Sequence, residues 1–184
     1  MEMIEKMYYV PNSYSYHPHY TVPTYRQPVY YTQNYLFNQE MNRQVPVGLT
    51  DYGRKPFVVN IHQATLQNNT YRTALWTGSQ FQITLMSLKK GEDIGLQMFP
   101  DIDVFLHVSQ GQGLVQMGKD QNHIDFVRKI DPQTAIIIPA GMWNNITNVG
   151  EGPLKLYSIY APPNHPIGTI YETKEQAYTA DGHG

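Results

Sequence analysis

The sequence has no cysteine among its 184 residues, which excludes disulfides, thiol nucleophiles and cysteine-ligated zinc or iron–sulfur centres. Charge is scarce as well. Charged side chains make up 15% of the chain, against roughly 25% in ordinary soluble domains. Thirteen Lys+Arg against fifteen Asp+Glu leave a formal net charge of −2. Such a chain lacks the basic surplus that electrostatic nucleic-acid binding or polybasic membrane anchoring needs. Long apolar runs are missing too: the longest aliphatic stretch is Ala135–Ile138, far short of the ~20 residues of a spanning helix. Met1–Lys6 is too polar to open a signal peptide. These absences predict a protein made in the cytoplasm, without nucleic acid or membrane as partner, that travels elsewhere only as part of an assembly.

What is abundant is tyrosine, and it is unevenly spread. Nine of the fifteen tyrosines (Tyr8, Tyr9, Tyr14, Tyr16, Tyr20, Tyr25, Tyr30, Tyr31 and Tyr35) fall in one short stretch, interleaved with Pro11, Pro18, Pro23 and Pro28. Arg26 is the one formal charge between Met7 and Gln39. Proline fixes φ and removes a backbone donor, so neither a helix nor a central strand is expected there. Residues 1–50 read as an extended, partly polyproline-like arm. Disordered tails tend to be poor in aromatics; tyrosine rings instead offer apolar area with a hydroxyl that still finds a partner.

Residues 51–184 read as a second unit of short strands separated by turn signals. Phe57–Ile61 alternates Phe57, Val59, Ile61. Gln80–Leu88 alternates Phe81, Ile83, Leu85 and then changes phase to Met86 and Leu88, the pattern of a bulge. Further strands are predicted at Ile94–Phe99, Asp103–Ser109, Gln112–Met117, His123–Arg128, Thr134–Ile138, Trp143–Thr147 and Leu154–Ala161. Thr173 with Gln176 three residues later makes a capping box ahead of a short C-terminal helix. Strands at this spacing predict an all-β, antiparallel sandwich or barrel.

Two longer motifs carry a resemblance. The stretch from Gly91 to Gly111, Gly-Glu-Asp-Ile-Gly-Leu-Gln-Met-Phe-Pro-Asp-Ile-Asp-Val-Phe-Leu-His-Val-Ser-Gln-Gly, resembles the first cupin motif. Pro139–Asn148, Pro-Ala-Gly-Met-Trp-Asn-Asn-Ile-Thr-Asn, resembles the second. Leu154–Thr169 is similar to the tail of small bacterial cupins of the mannose-6-phosphate-isomerase-like kind. The resemblance spans roughly residues 54–180 and implies a jelly-roll β-barrel, usually dimeric, with a central pocket. In the family that pocket commonly holds a divalent metal. Its ligands are a His or Glu, a His two residues later, a Glu or Gln five further on, and a His from the second motif. Carried over, those places are Gln97, Phe99, Val104 and Asn144. Phe and Val offer no donor and the two amides only weak carbonyl oxygens, so the resemblance implies a barrel retained without metal or cofactor. Turn-shaping residues survive, among them Gly95, Pro100, Gly111 and Gly141.

Other constellations are poorer. His107 is a single strand histidine, His165 sits in a Pro-Pro-Asn-His-Pro turn, and His17 and His19 form a His-x-His pair in the arm. Asp101 and Asp103 read as turn carboxylates that cap backbone amides. Gly111-Gln-Gly113 is too short for a phosphate loop. The reading that follows is a non-catalytic structural cupin, a dimer at least, that self-associates through its tyrosine arm. The arm's composition is similar to that of spore-coat proteins, so a spore surface or intracellular assembly is the expected place. Two other classes stay open: a metal-dependent cupin enzyme of sugar-isomerase or dioxygenase type, and a small-molecule or sugar binder whose pocket is lined by Gln97, Phe99, Asp103, Trp143 and Asn144.

Overall fold

The computed structural model describes residues 46–180, which belong to a unit spanning Gln44–Gly184. The nine arm tyrosines, with His17, His19 and His183, lie outside the described residues. In chain order the elements are α1 (Ile61–Gln67), β1 (Arg72–Thr77), β2 (Gln82–Leu88), β3 (Asp103–Gln110), β4 (Gly113–Gly118), β5 (Phe126–Ile130), β6 (Ala135–Ile138), β7 (Trp143–Asn148), β8 (Leu154–Ala161), β9 (Ile170–Tyr171) and α2 (Lys174–Ala180). The strands pair antiparallel in two sheets, one ordered β6-β3-β8-β2-β1-β9 and one β5-β4-β7. This is the jelly-roll architecture of the cupins, closed by a short C-terminal helix.

Side-chain alternation places the core. Val104, Leu106 and Val108 of β3 join Met86 and Leu88 of β2, Leu156 and Tyr160 of β8, Val115 and Met117 of β4 and Ile146 of β7 in one buried cluster. Because both sheets contribute, that cluster is the interior of the sandwich. A second cluster, with Leu75, Leu85 and Ala64 buried, lies on the outer face of the larger sheet, covered by Val47, Leu49, Tyr52, Phe57, Val59 and Ile61. Val47 and Leu49 therefore pack as part of the body, although the sequence places them in the arm.

Two expectations about local structure are corrected by that outer cluster. Phe57–Ile61 is not a strand. It is irregular chain that runs into α1, with Asn60 as the N-cap accepting from the Gln63 amide at 3.1 Å. The phase change in β2 is not a bulge either, since its pairing with β8 runs without a break from Gln82 to Leu88. Leu85 faces the outer cluster and Met86 and Leu88 the interior, so the strand is apolar on both sides. The register shift falls on β1 instead, between Ala74 and Trp76. Ile94–Phe99 forms no regular strand, yet it lies along β7 through bridges at Asp93–Thr147 and Gln97–Asn144. Gly95, at φ +79, interrupts it.

The C-terminal helix starts where its capping box predicts. The Gln176 amide donates to Thr173 Oγ1 at 3.4 Å, and Gln176 Oε1 accepts from the Glu172 amide at 2.8 Å. Lys174 then ties the helix to Asp93 at 2.8 Å.

Candidate functional site

The four positions that the resemblance implies as metal ligands are Gln97, Phe99, Val104 and Asn144. Gln97 and Asn144 exchange backbone hydrogen bonds of 3.0 and 2.8 Å. Phe99, two residues on, meets Tyr160 edge-on with centroids 6.0 Å apart. Tyr160 is the register partner of Val104. Val104 and Tyr160 are buried, with Phe99 and Met142 packed against the same cluster.

Asn144 is the polar member of this group with the least freedom. It is buried, and its Nδ2 donates to the carbonyls of Gln97 and Met142, both at 3.2 Å. Those two acceptors decide the amide orientation, because a flip would set oxygen against two carbonyl oxygens. Asn144 Oδ1 is left without a hydrogen-bond partner. It is a neutral acceptor, and with Gln97 it completes the set of side-chain donors at the four positions. A divalent first-row metal needs three or four strong N, O⁻ or S⁻ donors, so these residues do not fit one. Among the described residues no group of three or more His, Asp or Glu could hold a metal elsewhere.

Asp103 and Trp143 stand apart from the other proposed pocket residues. On β7 the alternation that buries Asn144, Ile146 and Asn148 turns Trp143 to the opposite face. Asp103 is exposed at the start of β3, where Oδ1 accepts from the Ala140 amide at 2.8 Å. It closes a turn and does not line the interior. Of the five residues read as pocket lining, Gln97 and Asn144 are bridged through their main chains and Phe99 packs against the interior cluster, while Asp103 and Trp143 are turned away from it. His107 also faces outward, stacked on Tyr157 at 5.2 Å.

Sequence reasoning missed the polar residues beside this group. Arg72 is 3% exposed on β1, at a position that pairs with inward-facing Met86. Its guanidinium lies 5.6 Å from the centre of the Tyr71 ring. His165, also buried, meets Tyr160 edge-on at 5.0 Å. Burial, then the nearby Arg72 charge, pushes the His165 pKa down to about 3, so the ring is neutral at physiological pH. Burial pushes the Tyr71 hydroxyl up, keeping it protonated. The available signal was a single charged residue, Arg72, in the mostly apolar run Tyr71–Trp76.

A polar latch holds the neighbouring loop. The Gln82 side chain donates to the His165 carbonyl at 3.0 Å and accepts from the His165 amide at 2.9 Å. It also donates to Thr77 Oγ1, which in turn donates to Asp51 Oδ2 at 2.6 Å.

No family model matches the chain. It is 61% identical over 133 residues to the uncharacterized protein YrkC of Bacillus subtilis (strain 168), an alignment spanning 72% of each chain. The chain belongs to the YrkC family. The chain is also similar to the uncharacterized protein L612 of Acanthamoeba polyphaga mimivirus, 37% identical over 122 residues and aligned over 66% of this chain and 74% of that one. The crystal structure of BH2720 from Bacillus halodurans superposes with a TM-score of 0.70 at 55% identity, over 71% of this chain and 98% of that chain. Cupin and double-stranded β-helix proteins are among the neighbours in fold.

Proposed function

We propose that this protein is a non-catalytic, metal-free member of the YrkC family that works by associating with copies of itself, with the tyrosine-rich arm as the contact-making segment. The observation that carries the reading is the chemistry at positions 97, 99, 104 and 144. The places that the resemblance implies for metal ligands carry two amides, an aromatic ring and an aliphatic side chain. Chemistry of the sugar-isomerase or dioxygenase type needs a Lewis acid or redox metal there, and these donors would not retain one.

Association is favoured by what surrounds the barrel. β5 and β6 are edge strands, and each presents apolar surface: Phe126 is 42% exposed and Ile137 67%. Unpaired strand edges with apolar side chains are templates for contact with another chain. The arm adds nine rings almost without charge. Four or five tyrosine faces buried on a neighbour would each contribute roughly 1.5–3 kcal/mol before ordering costs. The composition supports a spore layer or another intracellular assembly as the setting.

Light scattering with electron microscopy of the full chain, and of a chain beginning at Gln44, tests this. Starting at Gln44 keeps Val47 and Leu49 on the outer cluster. Larger assemblies from the full chain than from the shortened one are expected. Equal masses would refute the arm's role, and stoichiometric Mn, Fe, Ni or Zn in protein purified without chelator would refute the metal-free pocket.

A further inference from the structure

Each of the two sheets ends in two edge strands, β6 and β9 in the larger and β5 and β7 in the smaller. Three of these edges are guarded. β9 is only two residues long. β7 is bordered by the segment before β3, which bonds to it through Gln97–Asn144 and from the Ile94 amide to the Ile146 carbonyl. β5 carries Arg128 and Lys129, both exposed. Short length, a covering segment and edge charges are the devices that keep sheet edges from pairing with other chains. β6 has none of them. Its run Ala135-Ile136-Ile137-Ile138 is uncharged, and among the described residues no strand pairs with its outer side.

The geometry of β6 shows what that edge offers. The Val108 amide donates to the Thr134 carbonyl at 3.0 Å, and the register continues as Leu106 with Ile136 and Val104 with Ile138. Main-chain groups point to alternate sides along a strand. Those of Ile136 and Ile138 therefore face β3, and those of Ala135 and Ile137 face the open edge. The side chains of the same two residues lie on the outer face of the sheet, both exposed, with Ile137 in one row with Phe105 and Ile159.

We infer that β6 pairs with β6 of a second copy, antiparallel about a two-fold axis at Ile136, so that Ala135 of each copy faces Ile137 of the other. An axis normal to the sheet keeps inner side chains inner and outer ones outer, so only like-facing residues can pair. Centring it on Ile137 would set Ala135 opposite Pro139, which has no N–H to donate. Centring it on Ala135 would set Ile137 opposite Gln133, whose φ of +77 is not extended. With Ile136 at the axis, Ala135 and Ile137 form two hydrogen-bonded pairs. A second copy is the occupant because this edge complements itself, as an isologous contact must. A small side chain meets a large one, and the apolar row runs on across the axis. Neither copy brings a charge into the contact, since Asp131 and Asp103 at the two ends of β6 accept from the Thr134 hydroxyl at 2.9 Å and the Ala140 amide at 2.8 Å. The pairing rests on the self-association proposed above and adds to the arm a contact between the bodies.

The chain has no cysteine, so introduced thiols report the contact directly. In this register the paired Cα atoms lie about 5.5 Å apart, within the roughly 4.4–6.8 Å that a disulfide spans. An equimolar mixture of full-length Ala135→Cys and Ile137→Cys chains, oxidised with copper phenanthroline, is expected to give covalent dimers containing one of each. Val58→Cys, at a position 98% exposed, should not. Ala135→Lys with Ile137→Lys is expected to keep the parent's thermal unfolding and to raise the dimer dissociation constant at least about tenfold in sedimentation velocity. No mixed disulfide, or an unchanged dissociation constant in the folded lysine variant, would overturn the proposal. A lysine variant that loses only the larger assemblies, without a mixed disulfide in the cysteine mixture, would assign the β6 edge to the arm and overturn it too. A mixed disulfide alongside equal masses for the full and shortened chains would uphold this contact and refute the arm's role alone.

Discussion

Lowering the pH from 7.5 to 5.5 should destabilise this protein by an amount traceable to one ring. His165 is buried, edge-on to Tyr160 and close to the Arg72 charge, with its pKa pushed down to about 3. In the unfolded chain a histidine titrates near 6.5. The folded state thus favours the neutral ring. The stability that ring confers is complete above pH 6.5 and is lost progressively as the pH falls towards 3. At pH 5.5 the unfolded chain has taken up its proton and the folded chain has not, so the loss is RT ln(1 + 10), or about 1.4 kcal/mol. Urea unfolding at the two pH values measures it, with the m-value checked for constancy. His165→Phe keeps a ring against Tyr160 and removes the titration, so the variant's pH-dependent loss should be smaller by about 1.4 kcal/mol. If parent and variant lose stability in parallel, or if the His165 ring resonances titrate near 6.5 in the folded protein, the reasoning is refuted.

Three further outcomes are expected. Gly95→Ala should cost about 1–2 kcal/mol for the left-handed backbone, plus the displacement of Tyr178; in a Tyr178→Ala background only the backbone cost should remain, as a double-mutant cycle by urea unfolding would read. Asp51→Ala removes the acceptor for Gly53, Thr77 and Gly168 and should cost about 2–3 kcal/mol. Burial pushes the Asp51 pKa up, but the hydrogen bonds from Thr77, Gly168 and Gly53 together hold it below 3.8, so its contribution is complete above 3.8 and lost as the pH falls through the lowered value, a dependence absent from the variant. Finally, Gln97→Glu, Phe99→His and Asn144→His made together should give a chain that retains a divalent metal through dialysis; a folded triple variant without metal would show that these are not the ligand positions.

The jelly roll was legible because the motif glycines and prolines mark its turns and because most strands bury one face only. Sequence patterns fail where that condition lapses. β2 is apolar on both faces because the segment from Val47 to Ile61 covers its outer side, and the second face reads as a change of phase. β1 was missed for a related reason: the register shift between Ala74 and Trp76 breaks its alternation, and Arg72 faces inward where an apolar residue is expected. α1 was hidden by the alternation of Phe57, Val59 and Ile61, whose contacts lie on the outer cluster. The cap signal, Asn60 with Gln63 at capping-box spacing, was present in the sequence all along.

If positions 97, 99, 104 and 144 are the ligand places that the resemblance implies, their side chains account for a barrel kept without a metal. Imidazole and carboxylate ligands in an apolar interior are costly to bury unless a metal or hydrogen bonds compensate them, so a cupin that keeps its ligands depends on filling the site. Phe99 and Val104 replace that dependence with packing, Phe99 against the edge of Tyr160 and Val104 beside it in the same cluster. Gln97 and Asn144 keep the main-chain bridge that ties the loop to β7, while their side chains carry no charge to neutralise. The loop is also held from outside, by Lys174 on Asp93 and by Tyr178 over Gly95. On the reading proposed above, packing and neutral hydrogen bonds take over the stabilising work of a bound metal.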